Sequence, residues 1–235
     1  RVDALTGIIT TIAGNGASVI GAAGDGGPAL SASFFNPAEI RILPDGDVLV
    51  ADTANVRIRR IDSATGIIST FAGGGSVSPA VGGPATTIQL GSAFSGPQAL
   101  EVDSTGIVYL GAPTRVLRVG LDGMLTSIAG TGVPGYSGDG GPATAAQLSG
   151  AYGRAISPDG ATLSFTELTN HVVRRIDLAT GLISRIAGTP GTSGFSGDGG
   201  PASAALLSGP RGLAYRCDGG LMIVATLNRT LKAYA

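Results

Sequence analysis

The chain has 235 residues, with 40 Gly, 13 Pro, one His, one Cys and no Trp. A net charge of −1, with 13% charged and 43% hydrophobic residues, excludes a basic nucleic-acid module and a disordered polar chain. No apolar run approaches the roughly 20 residues of a membrane span, and the lone Cys217 excludes an internal disulfide framework or a Cys-rich zinc site and is expected to be a buried free thiol.

From the N-terminus, VDALTGIITTIAG (2–14) reads as a β-hairpin: two apolar runs joined by an Asp-led turn that ends in Gly. A Gly-rich loop follows and closes on GGPA (26–29), then a short segment suited to one helical turn. AEIRILPDGDVLVAD (38–52) is strand, Asp-Gly turn, strand. The cycle then repeats. Hairpins recur as IDSATGIISTFAG (61–73), the shortened GLDGMLTSIAG (120–130) and IDLATGLISRIAG (176–188). GGPA returns at 82–85, 140–143 and 199–202. Strand-turn-strand runs return as ALEVDSTGIVYLGA (99–112), RAISPDGATLSFTE (154–167) and GLAYRCDGGLMIVAT (212–226). The Ala-Gly pairs ending at 14, 73, 130 and 188 set spacings of 59, 57 and 58 residues.

Each unit therefore holds four short antiparallel strands, and tandem units of this length predict an all-β fold: a β-propeller of four four-stranded blades. The blade units are about 15–73, 74–130, 131–188, and 189–235 plus 1–14, within one domain of residues 1–235. Residues 8–13 are expected to pair with the C-terminal strand and close the ring, hiding two sheet edges. A chain that begins at Arg1 reads as processed or as an excerpt, and an excerpt of a longer array accounts for the same ends. The runs VADTANVRIRRIDSATGIISTFAG (50–73) and SGDGGPATAAQL (137–148) resemble the NHL-repeat family of β-propellers over almost the whole chain. The resemblance implies the propeller fold. Of function it implies only that such domains serve binding, adhesion or RNA contact and, in a few branches, catalysis.

Two columns of residues could carry chemistry. Asp25, Asp139 and Asp198 stand in the SGDGG-type loops, but the second unit has Val81 there, so turn formation by accepting backbone N–H groups is preferred over a calcium site. No metal or cofactor is expected. Aligned on the third strand, Arg59, Arg118, Arg174 and Lys232 form a basic column whose heads are expected to pair with carboxylates such as Asp62 and Asp177. Asp52, Glu167, Thr226 and Ala112 end the second strands without uniformity, which argues against a shared catalytic carboxylate.

The function expected is non-enzymatic: a binding or structural propeller, extracellular or at the cell surface, contacting protein or glycan, or assembling with itself. The alternatives are an intracellular interaction propeller of a larger protein and a propeller hydrolase, lactonase or lyase. One histidine and no paired acid and base weigh against the enzymes. The corners between the second and third strands vary from unit to unit, so Asn55, Arg57, Asn170, His171, Asn228 and Arg229 are the candidate contact residues. Asn228-Arg229-Thr230 is also a glycosylation sequon. Neither nucleic acid nor membrane insertion is expected.

Overall fold

The computed structural model describes residues 1–234 apart from 18, 19, 22, 92–95, 98 and 228. The first sheet holds β1 (Pro37–Ile42), β2 (Val48–Asp52), β3 (Arg57–Ile61) and β4 (Ile68–Gly73), in that order. The second holds β6 (Leu100–Val102), β7 (Val108–Ala112), β8 (Arg115–Val119) and β9 (Met124–Ala129), with the short β5 (Gly83–Pro84) added outside β9. The third holds β10 (Ala151–Ile156), β11 (Thr162–Glu167), β12 (Val172–Asp177) and β13 (Ile183–Ala187). The fourth holds β14 (Pro210–Tyr215), β15 (Leu221–Ala225) and β16 (Thr230–Tyr234). All pair antiparallel, as a meander joined by short turns requires. The sheets stand side by side as the four blades of a β-propeller, with the first strands innermost and β1, β6, β10 and β14 neighbours in turn.

The core lies between blades. Leu49 and Ile58 of the first blade pack against Leu100, Leu110 and Leu117 of the second. Tyr109 and Val116 meet Leu163 and Phe165 of the third, and Ala155 and Val173 meet Leu221 and Ile223 of the fourth. Burying one such side chain stabilises by roughly 1.5–3 kcal/mol. In the first three blades the GGPA segment lies along the outermost strand: Gly26 N–H bonds Ile68 O and Gly140 N–H bonds Ile183 O, while Gly83–Pro84 forms the ladder seen as β5. The expected helical turns follow each GGPA directly, as single 3-10 turns at Ala29–Ser31, Ala85–Thr87, Ala143–Ala145 and Ala202–Ala204.

Three expectations are corrected. Residues 8–13 do not pair with the C-terminal strand; among the described residues β16 pairs with β15 alone. Gly14 and Asn15 donate to Ala29 O and Ala32 O, which ties the segment to the first blade, and residues 1–10 form their own hairpin with Val2 opposite Ile9. The fourth sheet consequently has three strands rather than four. Cys217 is exposed, because it sits in the turn between β14 and β15 where Gly219 N–H bonds Arg216 O.

The hairpin turns share one device. Asp62 accepts from Ala64 N–H, Thr65 N–H and Thr65 Oγ1, and Asp177 accepts from Ala179 and Thr180 N–H. The Thr65 and Thr180 bonds hold both carboxyls below the ordinary carboxylate range. A depressed native pKa gives stability that is present at neutral pH and lost as pH falls through that range. Asp62→Asn and Asp177→Asn should therefore lower stability at pH 7 and flatten its acid decline, measured by urea unfolding at pH 7 and pH 3.

Candidate functional site

Strands β3, β12 and β16 each turn one cation toward the Gly-rich loop. Arg59 and Arg174 are fully buried. Arg59 meets Asp25 at 2.7 Å and the buried Asp52 at 3.4 Å, with Ser33 O and Ala23 O completing its shell and the Phe34 ring 5.6 Å away. Arg174 repeats this with Asp139 at 2.9 Å, Glu167 at 3.3 Å, Gln147 O, Ser137 O and the Tyr136 ring at 5.0 Å. Lys232 meets Asp198 at 2.6 Å, Ser196 O, and the Phe195 ring at 5.1 Å. The two columns read from the sequence thus meet in space. Among the described residues no backbone N–H bonds the carboxylates of the loop aspartates; they receive the cations instead. Asp25 also accepts from Thr70 Oγ1, and Asp139 from the Tyr136 hydroxyl. Burial, then that bond to Asp139, pushes the Tyr136 hydroxyl pKa up. Asp62 and Asp177, expected as partners, cap their own turns instead.

The loop can fold back onto the residue that closes the 3-10 turn after GGPA only because its first glycine has no side chain. Gly24, Gly138 and Gly197 all have positive φ, and a Cβ there would lie 2.7, 2.8 and 2.6 Å from the Cα of Ala32, Ala146 and Ala205.

Arg118 does not belong to this column. β12 places Val173 opposite Ala187 and then Arg174 after a bulge, and β8 places Val116 opposite Ala129 and then Leu117. Leu117 is therefore the residue equivalent to Arg174, and Arg118 lies on the other face, opposite Tyr109 in the ladder. The second blade has Val81, Ala112 and Leu117 where the first has Asp25, Asp52 and Arg59. The whole ion set is exchanged for an apolar one.

The corner residues are mostly internal struts. Buried Asn55 donates to Asp52 and accepts Gly21 N–H, both at 2.8 Å. Asn170 donates to Glu167 and to Gly135 O. Burial pushes the Glu167 carboxyl up, against the pull of Ser149 N–H and Arg174. His171, in a left-handed conformation, accepts Gly209 N–H on Nδ1 at 3.2 Å. Arg57 is half-buried and bonded to Thr70. Arg229 is exposed, and Asn228, the sequon residue, lies outside the described residues.

A second polar cluster lies at the axis, where the innermost strands converge around a cleft of about 280 Å³ lined by Glu39, Arg41, Tyr152, Arg154 and Arg211. Arg41 sits between Glu39 at 2.6 Å and Glu101 at 3.5 Å. Arg154 is 3% exposed, and its Nη atoms bond Tyr152 O, Ala151 O and Ala99 O while its Nε has no partner among the described residues. Burial lowers its pKa to about 10, and Glu39 and Glu101 oppose that. Burial likewise raises the Glu101 carboxyl. Arg211 is exposed and stacks 5.5 Å from the Tyr152 ring. The sequence reading missed this cluster. Its signal was available as charges inside the innermost strands, which are otherwise apolar: AEIRI, ALEV, GRAI and PRGL. Among the described residues no group of three or more His, Cys, Asp or Glu could hold a metal ion.

No protein-family model and no curated protein matches the chain. Solved structures share its fold. One, a protein of unknown function from Bacteroides thetaiotaomicron VPI-5482, has a TM-score of 0.67 at 17% identity over 85% of this chain and 47% of its own. Another from the same organism, described as an auxiliary nutrient binding protein, has a TM-score of 0.60 at 16% identity, over 81% and 46%. A catalytically inactive virginiamycin B lyase from Staphylococcus aureus has 0.51 at 20% identity, over 84% and 55%. The chain spans about half the length of these structures, and the fold is shared by enzymes and binding proteins alike.

The apolar second blade predicts how the ion sets respond to substitution. Glu167→Ala leaves Arg174 short of a buried partner and should cost about 3–5 kcal/mol. The triple change Asp139→Val, Glu167→Ala, Arg174→Leu, which copies the second blade, should cost far less than Glu167→Ala alone. Urea unfolding midpoints of the two variants decide it.

Proposed function

We propose that this protein is a binding propeller of the NHL-repeat type, extracellular or at the cell surface, whose ligand-binding surface is the axial cleft. The observation that carries the reading is the surplus of positive charge there. Arg41 is neutralised by two carboxylates, but Arg211 has no carboxylate partner among the described residues, and Arg154 keeps an unpartnered Nε. An exposed guanidinium backed by an aromatic ring is suited to a planar carboxylate, so the ligand is a glycan or peptide group that bears one. The low charge of the chain as a whole suits a surface used for contact. The shared fold with an auxiliary nutrient binding protein supports binding by analogy of fold alone. A catalytic reading has less support, because the Nδ1 of the single histidine is occupied by Gly209 N–H. Among the described residues no helix is long and apolar enough to cross a membrane.

A thermal-shift and calorimetric screen of uronic-acid oligosaccharides and acidic peptides should return a salt-sensitive ligand. Arg211→Ala should weaken it roughly tenfold or more without altering the melting temperature of the free protein. Unchanged affinity in Arg211→Ala would move the site away from the axis. Turnover of the bound compound would replace the reading with an enzymatic one.

A further inference from the structure

Strands β3, β8 and β12 each carry an arginine one residue beyond the ion-set position: Arg60, Arg118 and Arg175. Ladder register makes them equivalent, because Arg60 faces Ser69, Arg118 faces Thr126 and Arg175 faces Ser184, each one step past the bulge. Two of the three have an acid of their own. Arg60 meets Asp47 at 2.5 Å and Asp45 at 2.9 Å. In the third blade the Thr180 bonds, and behind them Arg175, hold the Asp177 carboxyl below the ordinary carboxylate range.

The second blade lacks both acids. Register puts Ile107 where the first blade has Asp47, and Gly120 where the third has Asp177. Arg118 makes no ion pair among the described residues. The group it acts on is the Tyr109 hydroxyl, whose pKa burial and then Asp103 raise while Arg118 opposes them. That hydroxyl donates to Asp103 at 3.4 Å and keeps its proton at neutral pH, so it is no counter-ion for Arg118.

Arg118 lines a cleft of about 620 Å³ between the second and third blades. The second blade adds Ser127 and Ile128 to its wall, and the third adds Thr144, Ile176, Leu178 and Asp177. Ile128, Ile176 and Leu178 belong to the core packed between these two blades, so the cleft has an apolar floor continuous with that core. The opposite wall is fixed by main-chain bonds: Ala143 N–H donates to Gly181 O at 2.8 Å, and Pro142 pairs with Leu182. The walls are therefore set before any ligand arrives, and the volume is that of an ordinary small-molecule site. Only second- and third-blade residues take part, and none of them lines the axial cleft.

The charges select the ligand. A half-buried guanidinium without an acid, beside an apolar floor, favours one planar carboxylate on an apolar body. Asp177 across the cleft stays ionised at neutral pH and repels a second negative charge. We propose that this cleft is a second binding site, for a small monocarboxylate whose carboxylate pairs with Arg118 and whose apolar body lies on Ile128, Ile176 and Leu178. The Ser127 and Thr144 hydroxyls are the further donors that line it. The proposal stands independently of the axial ligand.

The probes are hexanoate and phenylacetate, with hexanamide and phenylacetamide as neutral isosteres and phenyl phosphate as the doubly charged one. Amide proton–nitrogen correlation spectra of the whole chain should show saturable shifts at Arg118, Ser127 and Thr144 with either acid. Each amide should bind roughly tenfold more weakly or worse than its acid, and phenyl phosphate more weakly than phenylacetate. Arg118→Gln should weaken both acids by roughly tenfold or more at an unchanged melting temperature, while Arg211→Ala should leave these shifts as they are. The absence of saturable shifts at these amides would overturn the proposal. So would amides that bind as well as acids, or acid binding that survives Arg118→Gln undiminished. Shifts lost in Arg211→Ala but kept in Arg118→Gln would place the acid at the axis and overturn it as well.

Discussion

A sheet in this protein has two apolar faces and no core of its own. Leu49 on one blade and Phe165 on another are buried only because a neighbouring blade lies over them. That constraint orders everything else. Blades must be numerous, nearly identical in thickness and set at a constant angle, so the chain repeats one unit and varies it only where packing permits. It also explains where apolar surface remains exposed. Ile40, Ile42, Val224 and Leu231 are exposed on faces of the first and fourth blades that no other blade covers among the described residues.

The buried cations do a different task. Packing between blades does not hold the long Gly-rich loops, which carry few large side chains. Arg59 and Arg174 reach out of the third strand and fasten those loops through a carboxylate, two backbone carbonyls and an aromatic face. A hub acid below each, Asp52 or Glu167, ties the same cation to the corner asparagine and to a backbone N–H at the head of the blade. Such a network is costly to desolvate, and an apolar substitute of similar volume can match it. The second blade is that substitute. Val81, Ala112 and Leu117 replace the set together, and its loop follows a different path in which Val77 pairs with Ile88.

Much of the fold was legible in the residues because its signals are local. The Asp-led turn, the GGPA segment and the Ala-Gly pair each specify a short piece of backbone, and their recurrence counts the blades. What was not legible depends on register and on distance. Arg118 lies one residue beyond the equivalent of Arg59: the turn between β7 and β8 has two residues where its counterparts have four, so the arginine of RVLRV falls out of line with those of the other units, and a one-residue offset puts its side chain on the opposite face. The partners of Arg59 lie 34 and 7 residues away, whereas Asp62, close to it in sequence, caps its own turn. Asn55 and Asn170 looked like variable contact residues, yet each holds its corner through the hub acid. The axial cluster is not legible locally because it gathers one or two charges from each of four separate strands.

The hairpin at residues 2–9 stands with no sheet around it and still adopts the turn seen inside complete blades. Its shape is therefore written in a few adjacent residues and owes nothing to burial. Every unit but the second carries the same Asp-Thr-Gly turn beside an apolar pair, and the second keeps a shortened form. Such a segment closes its loop in microseconds, long before distant blades can meet. The chain thus has several equivalent places at which ordering can begin, and the order in which its blades assemble is set by which neighbours have already formed, not by position along the polypeptide.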